Sequence, residues 1–171
     1  MSIYRKLKLH ENVAIVRDIS VFLRNQIGQG AVYEHVRKYT NDNTELLLFP
    51  VYDAGHWILF AYHLSENVLY VGDSLPLKPL SKYEERVKLF QENILSQVIN
   101  DFELYPVPNP HKDKNSSIDL CPVAQTHMRT MNIELFRTGI QTDSTSCGIY
   151  VIYAINFISS VNKIYPVFPV T

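Results

Sequence analysis

Cysteine is scarce in this chain, with 2 among 171 residues. Cys121 and Cys147 are too few for a disulfide framework and lack the paired spacing of a zinc site, so no metal is expected. Two free thiols in a reducing, intracellular compartment are the default, with Cys121 in "DLCPVA" expected to be a buried, inert side chain. Excess charge of one sign is also missing. The chain has 16 basic and 17 acidic residues and a net charge of −1. No basic cluster therefore points to nucleic acid or to an anionic membrane. No apolar run is long enough to span a bilayer, and "MSIYRKLKLHENVAIVRD" lacks the apolar core of a signal peptide. Internal repeats and low-complexity tracts are absent too. What is present, 46% hydrophobic and 19% charged residues, suits one globular α+β domain over residues 1–171.

The pattern along the chain begins helical. "DISVFLRNQI" reads as a short helix with Asp18 as cap and Gly28 as stop, and "AVYEHVRKY" as a second. "ELLLFPVY", "HWILFAYHL" and "NVLYVGDSL" then read as consecutive strands, the last two forming a hairpin. "LSKYEERVKLFQENILSQVIN" is the clearest helix. Ser81 and Glu84 match a capping box, and Tyr83, Val87, Phe90, Ile94 and Val98 recur at helical spacing. A loop punctuated by Pro106, Pro108 and Pro110 follows, and then "NIELFRT" as another strand.

Cys147 occupies a particular place, in "GIQTDSTSCGIYVIYAIN", on the seam between a Ser/Thr loop and an apolar run. If that run is a buried helix, the thiol lies in its first turn, where the dipole and unpaired N–H groups favour a thiolate. Gly148 would allow close approach by another chain. A thiolate nucleophile needs a base, and the base an orienting partner. His10, His35, His111 and His127 read as solvated surface, and His63 as an exposed turn residue. His56 opens a strand directly after Asp53-Ala54-Gly55, at a sheet end. A turn centred between Leu64 and Ser65 sets His56 opposite Asp73 on the same face, with Cβ atoms about 5 Å apart. A turn centred on Glu66 breaks that pairing.

"GHWILFAYHLSENVLYVGDSL" together with "IQTDSTSCGIYVI" resembles the cysteine peptidases that process ubiquitin-like proteins, of the SUMO-protease and adenoviral-protease type. The ordered set is His56, Trp57, Asp73, Gln141, Cys147 and Gly148, within residues 45 to 160. The resemblance implies a papain-like fold with a central mixed sheet and the nucleophile at the start of a buried helix. It implies Cys147 as nucleophile, His56 as acid–base, Asp73 as its orienting carboxylate and Gln141 as oxyanion donor. Losing such a donor typically costs about 3 kcal/mol of transition-state stabilisation. Trp57 and Gly148 would flank the substrate's Gly-Gly tail, although strand alternation points Trp57 away from His56 and leaves core packing open. The partner implied is ubiquitin or a ubiquitin-like protein and its conjugates, acted on by a monomer without cofactor.

The chain also departs from that pattern. The second tryptophan usual upstream is missing from "AIVRDISVFL", Ser146 stands where an Asp often precedes the nucleophile, and Asp143-Ser144-Thr145 replaces an Asn-Gly loop. These differences weaken a preference for SUMO over another modifier. Two alternatives stay open. Effector acetyltransferases have a similar triad, but usually with Glu at the place of Asp73 and with basic regions for coenzyme A and an inositol phosphate. A catalytically idle domain that only binds a modifier is the other.

Overall fold

The computed structural model describes residues 10–24, 31–75, 80–102, 131–143 and 145–161. Gly28, the proline-punctuated loop, Cys121, His111 and His127 lie outside the described residues. Among the described residues five strands form one sheet in sequence order: β1 (Val13–Ile15), β2 (Leu46–Asp53), β3 (His56–His63), β4 (Val68–Asp73) and β5 (Asn132–Arg137). The pairs β1–β2 and β4–β5 are parallel, while β2–β3 and β3–β4 are antiparallel. β3 alone therefore starts where the other four strands end, and that end of the sheet carries His56.

β1 was not evident from the sequence, since three residues give no period to read. It pairs only with Leu46, Leu47 and Leu48. Past that point no described strand pairs with that edge of β2. Pro50, which has no N–H to give a ladder, falls there, and the Tyr52 N–H is taken by Ser20 Oγ at 2.8 Å. The β2–β3 connection is a two-residue turn with Ala54 at φ 50 and Gly55 at φ 80. Two positive φ values match the right-handed twist of the flanking strands.

Alternation along the strands sends two apolar sets to opposite faces. Ile58, Phe60, Tyr62, Leu69 and Val71 pack with helices α1 (Ser20–Arg24), α2 (Ala31–Arg37), α3 (Glu84–Phe90) and α4 (Ser96–Phe102). Phe60 stacks on Phe90 at 4.3 Å between ring centroids. Leu46, Leu48, Leu59, Ala61 and Phe136 meet α5 (Cys147–Val161) through Val151, Ala154, Ile155 and Ile158. The sheet is thus covered on both sides. α5 buries one face only, contrary to a helix buried all round: Ile149 is 68% exposed.

Two helix boundaries differ from expectation. α1 begins at Ser20, and Asp18 adopts a left-handed conformation (φ 58) instead of capping it. The capping box at Ser81 and Glu84 does not form. Leu80–Lys82 is a single 3-10 turn, and α3 starts at Glu84 with Tyr83 in the cap position and no side-chain cap bond. The long helix read from residue 81 onward is interrupted by a π-helical turn, Gln91–Leu95, between α3 and α4. There Asn93 Nδ2 reaches the Leu23 carbonyl at 2.7 Å, binding the turn to α1.

Candidate active site

His56 begins β3 and Asp73 ends β4, and the structure joins them: His56 Nε2 lies 2.7 Å from Asp73 Oδ1. The pairing is not the direct opposition that the sequence suggested. Leu59 faces Gly72 and His63 faces Val68, with Leu64 to Asn67 forming the connection. That connection is two residues longer than the expected turn, with Asn67 at φ 52, so the register moves by two. A shift of two keeps every side chain on its face. His56 consequently reaches Asp73 diagonally, and the residue directly opposite His56 is Asp53 on β2. The imidazole's long reach covers a diagonal pair that shorter side chains would leave apart.

Both oxygens of the buried Asp73 carboxylate are engaged. Oδ1 accepts from His56 Nε2 and from the Leu75 backbone N–H at 3.0 Å, and Oδ2 accepts from the Tyr83 hydroxyl at 2.8 Å. Asp53 is held by Arg24 Nε at 2.7 Å and Arg86 Nε at 2.8 Å. The hydrogen bond from Arg24, joined by Arg86, lowers its pKa from 3.8 to about 2, although burial opposes the shift. His56, Asp73, Leu75, Lys82, Tyr83 and Arg86 together line a cleft of about 270 Å³.

Gln141 comes to the same strand end through β4. Thr138 N–H donates to the Asp73 carbonyl and Gln141 N–H to the Ser74 carbonyl, each at 2.9 Å. Its side chain, 7% exposed, accepts from Ser74 Oγ at 2.6 Å through Oε1 and donates through Nε2 to the Asp143 carbonyl at 2.7 Å. Asp143 then organises the approach to α5. Its carboxylate accepts from the Thr145 and Ser146 backbone N–H groups and from Ser146 Oγ, each at 2.7 Å. These bonds, the one from Ser146 Oγ foremost, lower its pKa from 3.8 to about 2.

Cys147 is the first residue of α5 and is 4% exposed. The adjoining Gly148 lies against the Trp57 indole. A methyl group there would come within 3.1 Å of Trp57 Cδ1. Trp57 packs on the α5 side of the sheet and also contacts the exposed Tyr52, at 5.2 Å between ring centroids. His56 and Cys147 are each one residue away from this Trp57–Gly148 contact. The imidazole and the thiol themselves share no hydrogen bond among the described residues; the ring's bond is to Asp73. Among the described residues no group of three or more His, Cys, Asp or Glu side chains could hold a metal ion, and no helix is long and apolar enough to cross a membrane.

Sequence reading missed Ser74, Tyr83, Arg86 and Asp143. Only Asp143 carried a signal, since Asp followed by Ser/Thr before a helix favours an Asx-type turn. His35, read as solvated, instead packs between Phe22 and Tyr39.

This order of strands and helices has counterparts among solved structures. The C-terminal ULP1 protease domain, solved in complex with SMT3, the yeast orthologue of SUMO, matches with a TM-score of 0.52 at 17% identity. The fold is of the SUMO-protease type. That match covers 88% of this chain and 58% of the solved one, so the chain spans less than three-fifths of its structural relative. A de-sumoylating protease matches at a TM-score of 0.50 and 15% identity, over 88% of this chain and 53% of that one. ULP1 with its catalytic cysteine oxidised to a sulfinic acid gives a TM-score of 0.52 at 17% identity, over 87% and 58%. No family model and no curated protein matches the sequence.

Proposed function

We propose that this chain is a thiol peptidase or isopeptidase that cleaves after the C-terminal glycine of ubiquitin or a ubiquitin-like modifier. The observation that carries the reading is the 2.7 Å bond between His56 and Asp73 at the sheet end beside the helix that Cys147 opens. Here His56, whose ring Asp73 orients, takes the Cys147 thiol proton as the sulfur attacks the glycyl carbonyl, and gives it to the amine as the C–N bond breaks. Water activated by His56 then hydrolyses the thioester, freeing the glycine carboxylate and the thiol. The oxyanion receives the Cys147 backbone N–H and the second N–H of Gln141, since the first is bound to the Asp143 carbonyl. Trp57 and Gly148 line the path of a tail that has no side chains. SMT3 is the partner of ULP1; which modifier fits this chain is a question of surface rather than of this site.

The test is a panel of ubiquitin, SUMO and related proteins bearing a C-terminal electrophile. A covalent adduct at Cys147, absent in Cys147→Ala, is expected with one of them. Failure of every member, with the protein folded, overturns the proposal. Tight binding that persists in Cys147→Ala without turnover by the parent chain would assign an idle binding domain instead. Labelling from acetyl-coenzyme A would assign an acyltransferase.

A further inference from the structure

Tyr83 looks from its spacing like one apolar contact among several on a helix. In the fold it stands just before α3, 2% exposed, with its ring in the core on the α3 side and its hydroxyl donating to Asp73 Oδ2 at 2.8 Å. The other carboxylate oxygen accepts from His56 Nε2 at 2.7 Å and from Leu75 N–H at 3.0 Å. Rotation of the carboxylate away from His56 therefore breaks a bond on each oxygen.

Such a restraint matters because rival partners stand nearby. Lys82 and Arg86 line the same cleft as Asp73 and His56. A carboxylate free to turn could pair with either cation and leave the imidazole without its acceptor. Arg86 is itself occupied by Asp53 Oδ2 at 2.8 Å, so the start of α3 holds acidic residues on both strands beside His56. We infer that Tyr83 is a positioning residue, whose hydroxyl fixes the Asp73 carboxylate in the orientation that accepts from His56 Nε2. The inference rests on the reading of His56 and Asp73 as the acid–base pair of a thiol peptidase.

The experiment compares the full chain with Tyr83→Phe and His56→Ala. Alkylation of Cys147 by iodoacetamide is followed by peptide mass spectrometry as a function of pH. The imidazole N–H proton of the His56–Asp73 bond is followed by NMR as a downfield resonance. A melting curve checks folding. Tyr83→Phe should melt within a few degrees of the parent, alkylate about tenfold more slowly near neutral pH, and lose or shift the downfield proton. Alkylation and proton resonance both matching the parent overturn the inference. Should Tyr83→Phe not fold, 3-fluorotyrosine at position 83 alters donor strength with the ring retained. An unmoved downfield proton then overturns it. If His56→Ala alkylates as fast as the parent, the peptidase reading fails, and the proton resonance still decides the role of Tyr83.

Discussion

Strand β3 begins on one histidine and ends on another, and the two meet opposite fates. His56 bonds Asp73 at 2.7 Å, whose side chain is 6% exposed, while His63 lies 4.0 Å from Glu66, which is 58% exposed. Residue type, strand and terminal position are shared. The difference lies in the partner: Asp73 is buried and held by two further donors, the Leu75 N–H and the Tyr83 hydroxyl, while Glu66 sits in a solvated turn. An acceptor that is already desolvated and fixed can hold an imidazole in one orientation, whereas exposed pairs contribute little.

The sharpest way to break this comparison is to remove each ring. His56→Ala should lower turnover of a modifier probe by a factor on the order of 10² to 10⁴, while His63→Ala should leave it within about twofold. Equal losses would erase the contrast. Next in size is Gly148→Val. Its branched side chain must displace the Trp57 indole, since even a methyl group comes within 3.1 Å. We expect a loss of at least about tenfold in kcat/KM for tail-bearing probes, with alkylation of Cys147 by iodoacetamide less affected.

Ser74→Ala tests the support behind Gln141. It removes the donor to a buried amide oxygen and should cost about 1–3 kcal/mol, read by denaturant melts. The matching change at the far end of β3, Ser65→Ala, takes away only an exposed 3.4 Å contact to His63 and should be near neutral.

Acid separates the two ends more gently. Asp53, beside His56, has a folded pKa of about 2 against an ordinary 3.8. Its stabilisation is present above about pH 4 and is lost as pH falls toward 2. With Arg24 half exposed, the effect should be about 1–2 kcal/mol, and Asp53→Asn should abolish that part of the pH dependence.

How much of this could be read in advance follows from local physics. Three long strands were legible because β-branched and aromatic residues run between turn residues, and the face shared by His56 and Asp73 survived because parity survives a shift of two. The register itself was not legible. Leu64 to Asn67 carries no Asn-Gly or Asp-Gly pair to fix its length, and Asn67 takes a left-handed conformation that many residues before it could equally have suggested. Tyr83 was hidden for a different reason: helical spacing reports where a ring is buried and says nothing about what its hydroxyl meets. The capping box of Ser81 and Glu84 failed beside it, because Tyr83 itself takes the cap position, with its hydroxyl on Asp73. Ser74 acts through its hydroxyl and Asp143 through its carboxylate and carbonyl, single contacts that no periodic pattern records.

Gly72 pairs with Leu59 on one side and Phe136 on the other, and any Cβ there would overlap the Phe136 ring. The carboxylate of residue 73 thus follows a stretch of bare backbone on which an aromatic plate rests directly. Lengthening that side chain by one carbon would act as a shim between β4 and β5, tilting the platform that bears Asp73 without touching any atom of the proposed chemistry.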